Sequence, residues 1–259
     1  MALRFMVRDY SNPWACLLTP RRKLEESTMK PCRWAVVAAG VALMAAGARA
    51  DGGAAWRDSF TARVEALALI ETLNADLLSH DSATLTLDNW CKAHRLASPA
   101  AIVADRARDA DRPATPELRQ LLRVGESEPV RYRRVRLRCG GHVLSEADNW
   151  YVPARLTPEM NRALDTTDIA FGRAVLALRF QRRTLSSTLL WSPLPEGWEM
   201  ARPATAADGP LIFPHAVLEH RAVLTLPDGT PFSAVVETYT GEILAFPEPR
   251  QRYAAGPCR

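Results

Sequence analysis

Residues 130–153, VRYRRVRLRC–GG–HVLSEADNWYVP, constrain the fold more than any other part of the chain. Two runs of alternating residues flank a Gly-Gly pair. This is the pattern of antiparallel strands joined by a two-residue turn that needs positive φ. Period-two alternation puts Tyr132, Arg134, Arg136 and Arg138 on one face, and Arg133, Val135, Leu137 and Cys139 on the other. With Gly140-Gly141 as the turn, Arg134 lies opposite Ala147 and Tyr132 opposite Asn149. Small and polar neighbours leave room above the sheet there. An arginine in that space can grip a carboxylate with two parallel hydrogen bonds. A solvated arginine ladder is the plainer alternative, and residue types alone leave it open.

A second hairpin, EHRAVLTL–PDGT–PFSAVVETYTGEIL, turns at Asp228-Gly229. Glu237 interrupts its otherwise apolar or β-branched second strand. A carboxyl on a partly buried strand face suits an acid catalyst or a holder of hydroxyl groups, and an ordinary Arg–Glu cross-strand pair is the other reading. Residues 55–80 space Phe60, Val64, Leu67, Ile70, Leu73, Leu77 and Leu78 as an amphipathic helix. Thr84–Leu87 reads as a short β-branched run leading to Asp88, an N-cap for a helix over 89–97. A strand over Ala100–Ala104, a charged loop over 105–116 and a short helix over 117–123 follow. Thr157 caps a further helix, 171–178 forms another, 179–191 a strand, and 192–215 a proline-rich crossing. Hairpins plus helices predict an α+β fold, with an antiparallel sheet of about five to six strands and helices packed over it.

The N-terminal segment is expected to lie outside this domain. From Met29 the chain reads MKPCRWAVVAAGVALMAAGARA: a basic start, an apolar stretch, then Ala48-Arg49-Ala50. That order predicts a signal peptide over 29–50 with cleavage after Ala50, a non-native or disordered leader over 1–28, and a single exported domain over 51–259. The apolar stretch is shorter than the roughly 20 residues of a bilayer span, so no stable membrane span is expected. The chain's formal charge of +4 comes from this end, because residues 51–259 hold 25 Lys/Arg and 26 Asp/Glu. Such a balance gives no electrostatic case for a nucleic-acid partner. Three cysteines remain after residue 50, and Cys91–Cys139 is the disulfide to test, against buried unpaired thiols. Phosphate loops, dinucleotide fingerprints, nucleophile elbows and paired Cys-x-x-Cys motifs are absent from the sequence, so neither cofactor nor metal is expected; Cys91-x-x-His94 is half a metal site at most.

The stretch RYRRVRLRCGGHVLSEADNWYVPARLTPEMNRALDTTDIAFGRAV resembles the central segment of chorismate lyases. The likeness lies in an R-Y start, an arginine-bearing strand, a Gly hairpin, a strand ending at V-P, a helix and an x-G-R segment. The last hairpin resembles that family's C-terminal strand pair. The resemblance implies a small α+β scaffold that eliminates pyruvate from chorismate, leaving 4-hydroxybenzoate in an enclosed pocket. It implies Arg134 as the grip on the carboxylate and Glu237 as the acid that meets the hydroxyl or ether oxygen. It also implies ligand contacts from Phe171, Asn74 and Asn149, the last two departing from the family's residue types. An exported protein rarely meets chorismate, a cytosolic intermediate. The alternative is therefore a periplasmic or secreted, monomeric, non-catalytic binder of a small aromatic carboxylate. Related ligand-sensing domains of bacterial regulators carry a DNA-binding helix-turn-helix where this chain has its signal-like segment.

Overall fold

The computed structural model describes residues 56–108, 111–200 and 209–249 of the chain. The expected leader, the signal segment with its cleavage site, and Cys16, Cys32 and Cys258 lie outside them. The described residues form an α+β fold. Its sheet has six antiparallel strands in the order β1-β2-β3-β6-β5-β4. The strands are β1 (Ile102–Ala107), β2 (Arg131–Cys139), β3 (His142–Tyr151), β4 (Gln181–Leu189), β5 (Ala216–Thr225) and β6 (Pro231–Thr240). The helices are α1 (Phe60–Ser79), α2 (Ala83–Ala93), α3 (Pro116–Leu122), α4 (Pro158–Thr166) and the single turn α5 (Phe171–Ala174).

Helix α1 starts at Ser59, whose hydroxyl accepts from the Ala62 amide, and buries Ala62, Ala66, Ile70, Leu73 and Leu77 at helical spacing. These residues share one core with Leu87, Val135, Leu137, Leu144, Val235 and Tyr239, so α1 and α2 lie on one face of the sheet. Each fully buried Leu or Ile there contributes about 1.5–3 kcal/mol relative to exposure. A second cluster joins Tyr151, Leu164, Phe171, Phe180, Leu224 and Phe232, bringing α4 and α5 over the same face. Helix α3 packs Leu122 against Trp150, Val152 and Ala234 on the opposite face.

Two local expectations are corrected. Thr84–Leu87 is helical, because Ser82, not Asp88, caps α2, and tertiary burial of Thr84, Thr86 and Leu87 overrides the β preference of threonine. Asp88 instead sits inside α2, where its carboxylate accepts from the Ile102 amide at 2.7 Å and pairs with Arg173. The strand expected over Ala100–Ala104 is β1, which begins two residues later and runs through Ala107.

The Gly140-Gly141 turn forms as its sequence demands, with Cys139 paired to His142 and Gly140 at φ +57. The expected register does not hold. A bulge between Leu137 and Arg138 adds one residue to β3, so Arg134 faces Asp148 and Tyr132 faces Trp150. Strand β4, at the sheet edge, carries a similar irregularity between Thr184 and Ser186. A Cβ at Gly140 would stand 2.6 Å from the Ala97 Cβ, whereas one at Gly141 meets nothing within 4 Å. Gly140→Ala is expected to cost about 2 kcal/mol in chemical denaturation, and Gly141→Ala to stay within about 0.5 kcal/mol of the parent. Equal effects from the two substitutions would refute this assignment of the turn.

Candidate functional site

Beneath the helices lies a small cavity with about 50 Å³ open to water centres. Its floor is the sheet face bearing Arg133, Val135 and Leu137 of β2, Ala147 and Asn149 of β3, and Ser233, Val235 and Glu237 of β6. Ser82, Ala83 and Thr84 from the start of α2, with Phe171 and Gly172 of α5, form its roof. A Cβ on Gly172 would meet the Ser82 and Thr84 hydroxyl oxygens at 3.0 and 3.1 Å, so glycine lets α5 close onto α2. Arg173 locks this roof. Its guanidinium donates to the Ile102 carbonyl at 2.7 Å and pairs with Asp88 of α2.

Arg133 is the unusual group. Its side chain sits on the apolar face of β2 in a residue only 2% exposed. Nη1 donates to the Leu164 carbonyl at 2.6 Å and Nη2 to the Ile169 carbonyl at 2.7 Å. The bond to Leu164 caps the end of α4, whose dipole offsets part of the charge. Nε has no partner, and no carboxylate lies within ion-pair distance among the described residues. Burial, followed by the nearby Arg106 charge, pulls the Arg133 pKa down to about 10. That fall corresponds to a penalty of about 3 kcal/mol on the charged form. The folded value lies below the unfolded one, so stability rises only as pH climbs above about 10. At neutral pH the whole penalty is present. A bound anion would relieve it.

Arg182, from the start of β4, and Glu237 form the second polar group. Their side chains are 3% and 8% exposed, and Arg182 Nη2 donates to Glu237 Oε2 at 2.6 Å. Tyr239 donates its hydroxyl to the same oxygen at 3.1 Å, which leaves Oε1 without a protein donor among the described residues. Burial is the largest influence and lowers the affinity of Arg182 for its proton, but Glu237, Tyr239 and Asp81 together outweigh it and the net shift is upward. Burial, reinforced by Glu237, pushes the Tyr239 phenol well above its ordinary value. The Arg182 Nε has no partner either. At the other end of the floor, Asn149 Oδ1 accepts from the Ser233 hydroxyl at 2.6 Å.

The structure thus brings Glu237, Phe171 and Asn149 together around one cavity and leaves two expected residues outside its lining. Arg134 is the first correction. Adjacent residues of a strand point to opposite faces, and Arg134 lies on the far side of the sheet from Glu237, 41% exposed, 3.5 Å from Glu146 and 3.9 Å from Asp148. Asn74 is the second. Its Oδ1 accepts from Ser187 at 2.9 Å and His220 at 2.8 Å, tying α1 to the sheet away from the cavity lining. His220, fully buried, is held below its ordinary pKa by burial and by Arg182, and its Nδ1 has no partner. Residue-type reasoning missed Arg133 and Arg182. The signal for Arg133 was present: it is the charged residue that directly precedes Val135, Leu137 and Cys139 on their face of β2, with Arg131 at the strand's exposed start. Nothing in the β4 sequence marks Arg182 above Arg183.

Cys91 and Cys139 are joined by a disulfide with a Cα–Cα distance of 6.1 Å, which fastens α2 to the end of β2. No group of three or more potential metal ligands occurs among the described residues, and none of their helices is long and apolar enough to cross a membrane.

The described residues therefore define an α+β domain with a small, partly open cavity between sheet and helices, lined by two arginines and two carboxylates. The chain belongs to the family of the uncharacterized protein y4mC of Sinorhizobium fredii (strain NBRC 101917 / NGR234), with 61% identity over 196 residues, 75% of this chain and 83% of that protein. No family model matches the sequence. Among solved structures, PhnF of Mycobacterium smegmatis is similar at 16% identity and a TM-score of 0.41, over 68% of this chain and 70% of that one. A GntR-family transcriptional regulator of Enterococcus faecalis V583 is similar at 12% identity and a TM-score of 0.32, over 54% and 90% of the two chains. At such scores the chemistry of the cavity rests on this chain's own geometry.

Proposed function

We propose that the domain is a non-catalytic binder of a small aromatic carboxylate, held in the cavity between sheet and helices. The observation that carries this reading is Arg133, a buried guanidinium with an unpartnered Nε and no carboxylate within ion-pair distance among the described residues. Buried charges are ordinarily paired, and a ligand carboxylate supplies the missing partner. The start of α2 adds backbone amides and a favourable dipole for an anion. Val135, Ala147, Val235, Phe171 and Phe180 supply apolar walls for a ring, with Asn149 at the floor. Oε1 of Glu237 is available to accept a hydrogen bond from a hydroxyl on that ring.

Pyruvate elimination from chorismate is the finer reading that the resemblance implies. It needs a carboxylate-gripping arginine and a proton-donating acid on one cavity. Arg133, not Arg134, is placed for the first task, while Glu237 accepts from Arg182 and Tyr239 rather than standing ready to donate. Binding alone asks nothing further of these groups.

The test is calorimetric titration of 4-hydroxybenzoate into the parent protein, Arg133→Met and Arg134→Ala. Arg133→Met is expected to weaken binding at least 100-fold, and Arg134→Ala less than threefold. The thermal midpoint of each unliganded variant serves as the folding control. Unchanged affinity in a folded Arg133→Met variant would defeat the assignment. Release of pyruvate from chorismate by the parent protein would replace the binder with the lyase.

We also propose export to the periplasm or beyond. The Cys91–Cys139 disulfide supports it, since such bonds persist in oxidising compartments. A mature N-terminus at Asp51 in the secreting cell is the expected result, and a cytosolic chain beginning at Met1 is the contrary one.

A further inference from the structure

A buried histidine ties α1 to the sheet outside the cavity lining. His220 of β5 is fully buried, and its Nε2 lies 2.8 Å from Asn74 Oδ1 of α1. The Asn74 amide is oriented by its other end, where Nδ2 donates to Glu71 Oε2 at 2.8 Å, so Oδ1 is the acceptor. Ser187 of β4, the cross-strand partner of His220, donates to the same Oδ1 at 2.9 Å. One side chain of α1 thus gathers a donor from each of two strands. The Nε2 of His220 therefore carries the ring proton, and Nδ1 is a bare lone pair without a partner among the described residues.

We propose that His220, Asn74 and Ser187 form a proton-sensitive latch, which holds the C-terminal half of α1 on β4 and β5 while the imidazole is neutral and loosens when it is protonated. A second ring proton places a donor at Nδ1 where nothing accepts it, and an unsatisfied buried donor is costly. The charge is also poorly balanced. From β4, the Arg182 guanidinium adds charge of the same sign. From β6, Glu237 is the cross-strand partner of His220, but its Oε2 already receives Arg182 at 2.6 Å and Tyr239 at 3.1 Å. The Tyr239 ring stands nearly perpendicular to the imidazole, with centroids 5.5 Å apart. From α1, the exposed Glu71 is bonded to the Asn74 amide. Burial and Arg182 accordingly hold the imidazole below its ordinary value of 6.5, against the pull of Glu237. The folded value being the lower one, the latch has its full strength above pH 6.5 and weakens as pH falls through it. An opening that hydrates the ring takes up a proton there, so acid favours the open form. None of this depends on what the cavity holds.

The test is hydrogen exchange of the full chain by NMR at pH 7.5 and 5.5, read as protection factors for the amides of residues 70–79, in the parent and in His220→Gln. Glutamine carries its Nε2 where the imidazole Nε2 donates, so it keeps the bond to Asn74 and does not titrate. His94, also held below its ordinary value by burial, stays in both proteins. The opening constant of these amides is expected to rise about tenfold in the parent between the two pH values, the effect of one proton at a group of ordinary pKa. In His220→Gln it should rise less than threefold, as should that of α3, on the opposite face. A rise in the parent no larger than in His220→Gln overturns the latch. So does an equal rise in α3, because the whole fold would then be opening. Should His220→Gln not fold, Asn74→Asp decides. Its carboxylate beside Nε2 balances the imidazolium, so the tenfold response should shrink below threefold, and an undiminished response overturns the proposal.

Discussion

Arg182→Met is expected to destabilise the fold by about 3–5 kcal/mol, the usual cost of removing one partner of a buried ion pair. For a domain of this size that is a fall of roughly 10 °C in thermal midpoint. The reason is the charge left behind. Glu237 is 8% exposed, and its nearest remaining donor is the Tyr239 hydroxyl at 3.1 Å. Glu237→Leu alone should be costly for the mirror-image reason, because it leaves Arg182 buried without a carboxylate. The double variant Arg182→Met/Glu237→Leu, which removes both charges, should recover most of the loss. A double-mutant cycle from urea denaturation measures the coupling. Additive losses would show that the pair does not act as a unit.

Reduction of Cys91–Cys139 is the other large effect. The bridge spans 48 residues, and a loop of that length contributes about 4 kcal/mol through the unfolded chain. Cys91→Ala/Cys139→Ala is expected to lower the thermal midpoint by roughly 10 °C. The loss should also weaken ligand binding, because α2, which the bridge fastens, carries Ser82, Ala83 and Thr84 over the cavity. Titration at a temperature where the variant is fully folded separates the two effects. An unchanged midpoint in the double alanine variant would refute a stabilising role for the bridge.

Much of this architecture was legible in the sequence. Gly140-Gly141 and Asp228-Gly229 mark their hairpins because only a few residue types tolerate the backbone those turns require, and α1 is written in its apolar spacing. What escaped were features decided by tertiary surroundings. Thr84–Leu87 carries β-branched residues yet is helical, because Ser82 caps the helix and the core receives Leu87. The bulge in β3 shifted the β3 partner of each β2 residue from Arg131 to Leu137 by one, and no residue announces it. The site was half readable. Glu237 and Asn149 stood out as polar residues in strands. The choice between Arg133 and Arg134 turned on which face of β2 is buried, and Val135, Leu137 and Cys139 answer that in Arg133's favour. Arg182 lies on an edge strand that is polar but for Leu185 and Leu189, where only the folded sheet shows that its side chain turns inward.

The irregularity in β4 has a consequence for behaviour at high concentration. An edge strand offers its unpaired amides and carbonyls to any passing chain, and a straight run of nine residues is a ready template for fibril growth. In β4 the break in register between Thr184 and Ser186 falls at mid-strand, beside the charged Arg183. An incoming strand finds the ladder interrupted and a cation in its path. The irregularity thereby breaks the regular ladder that an incoming strand would need at this edge of the sheet.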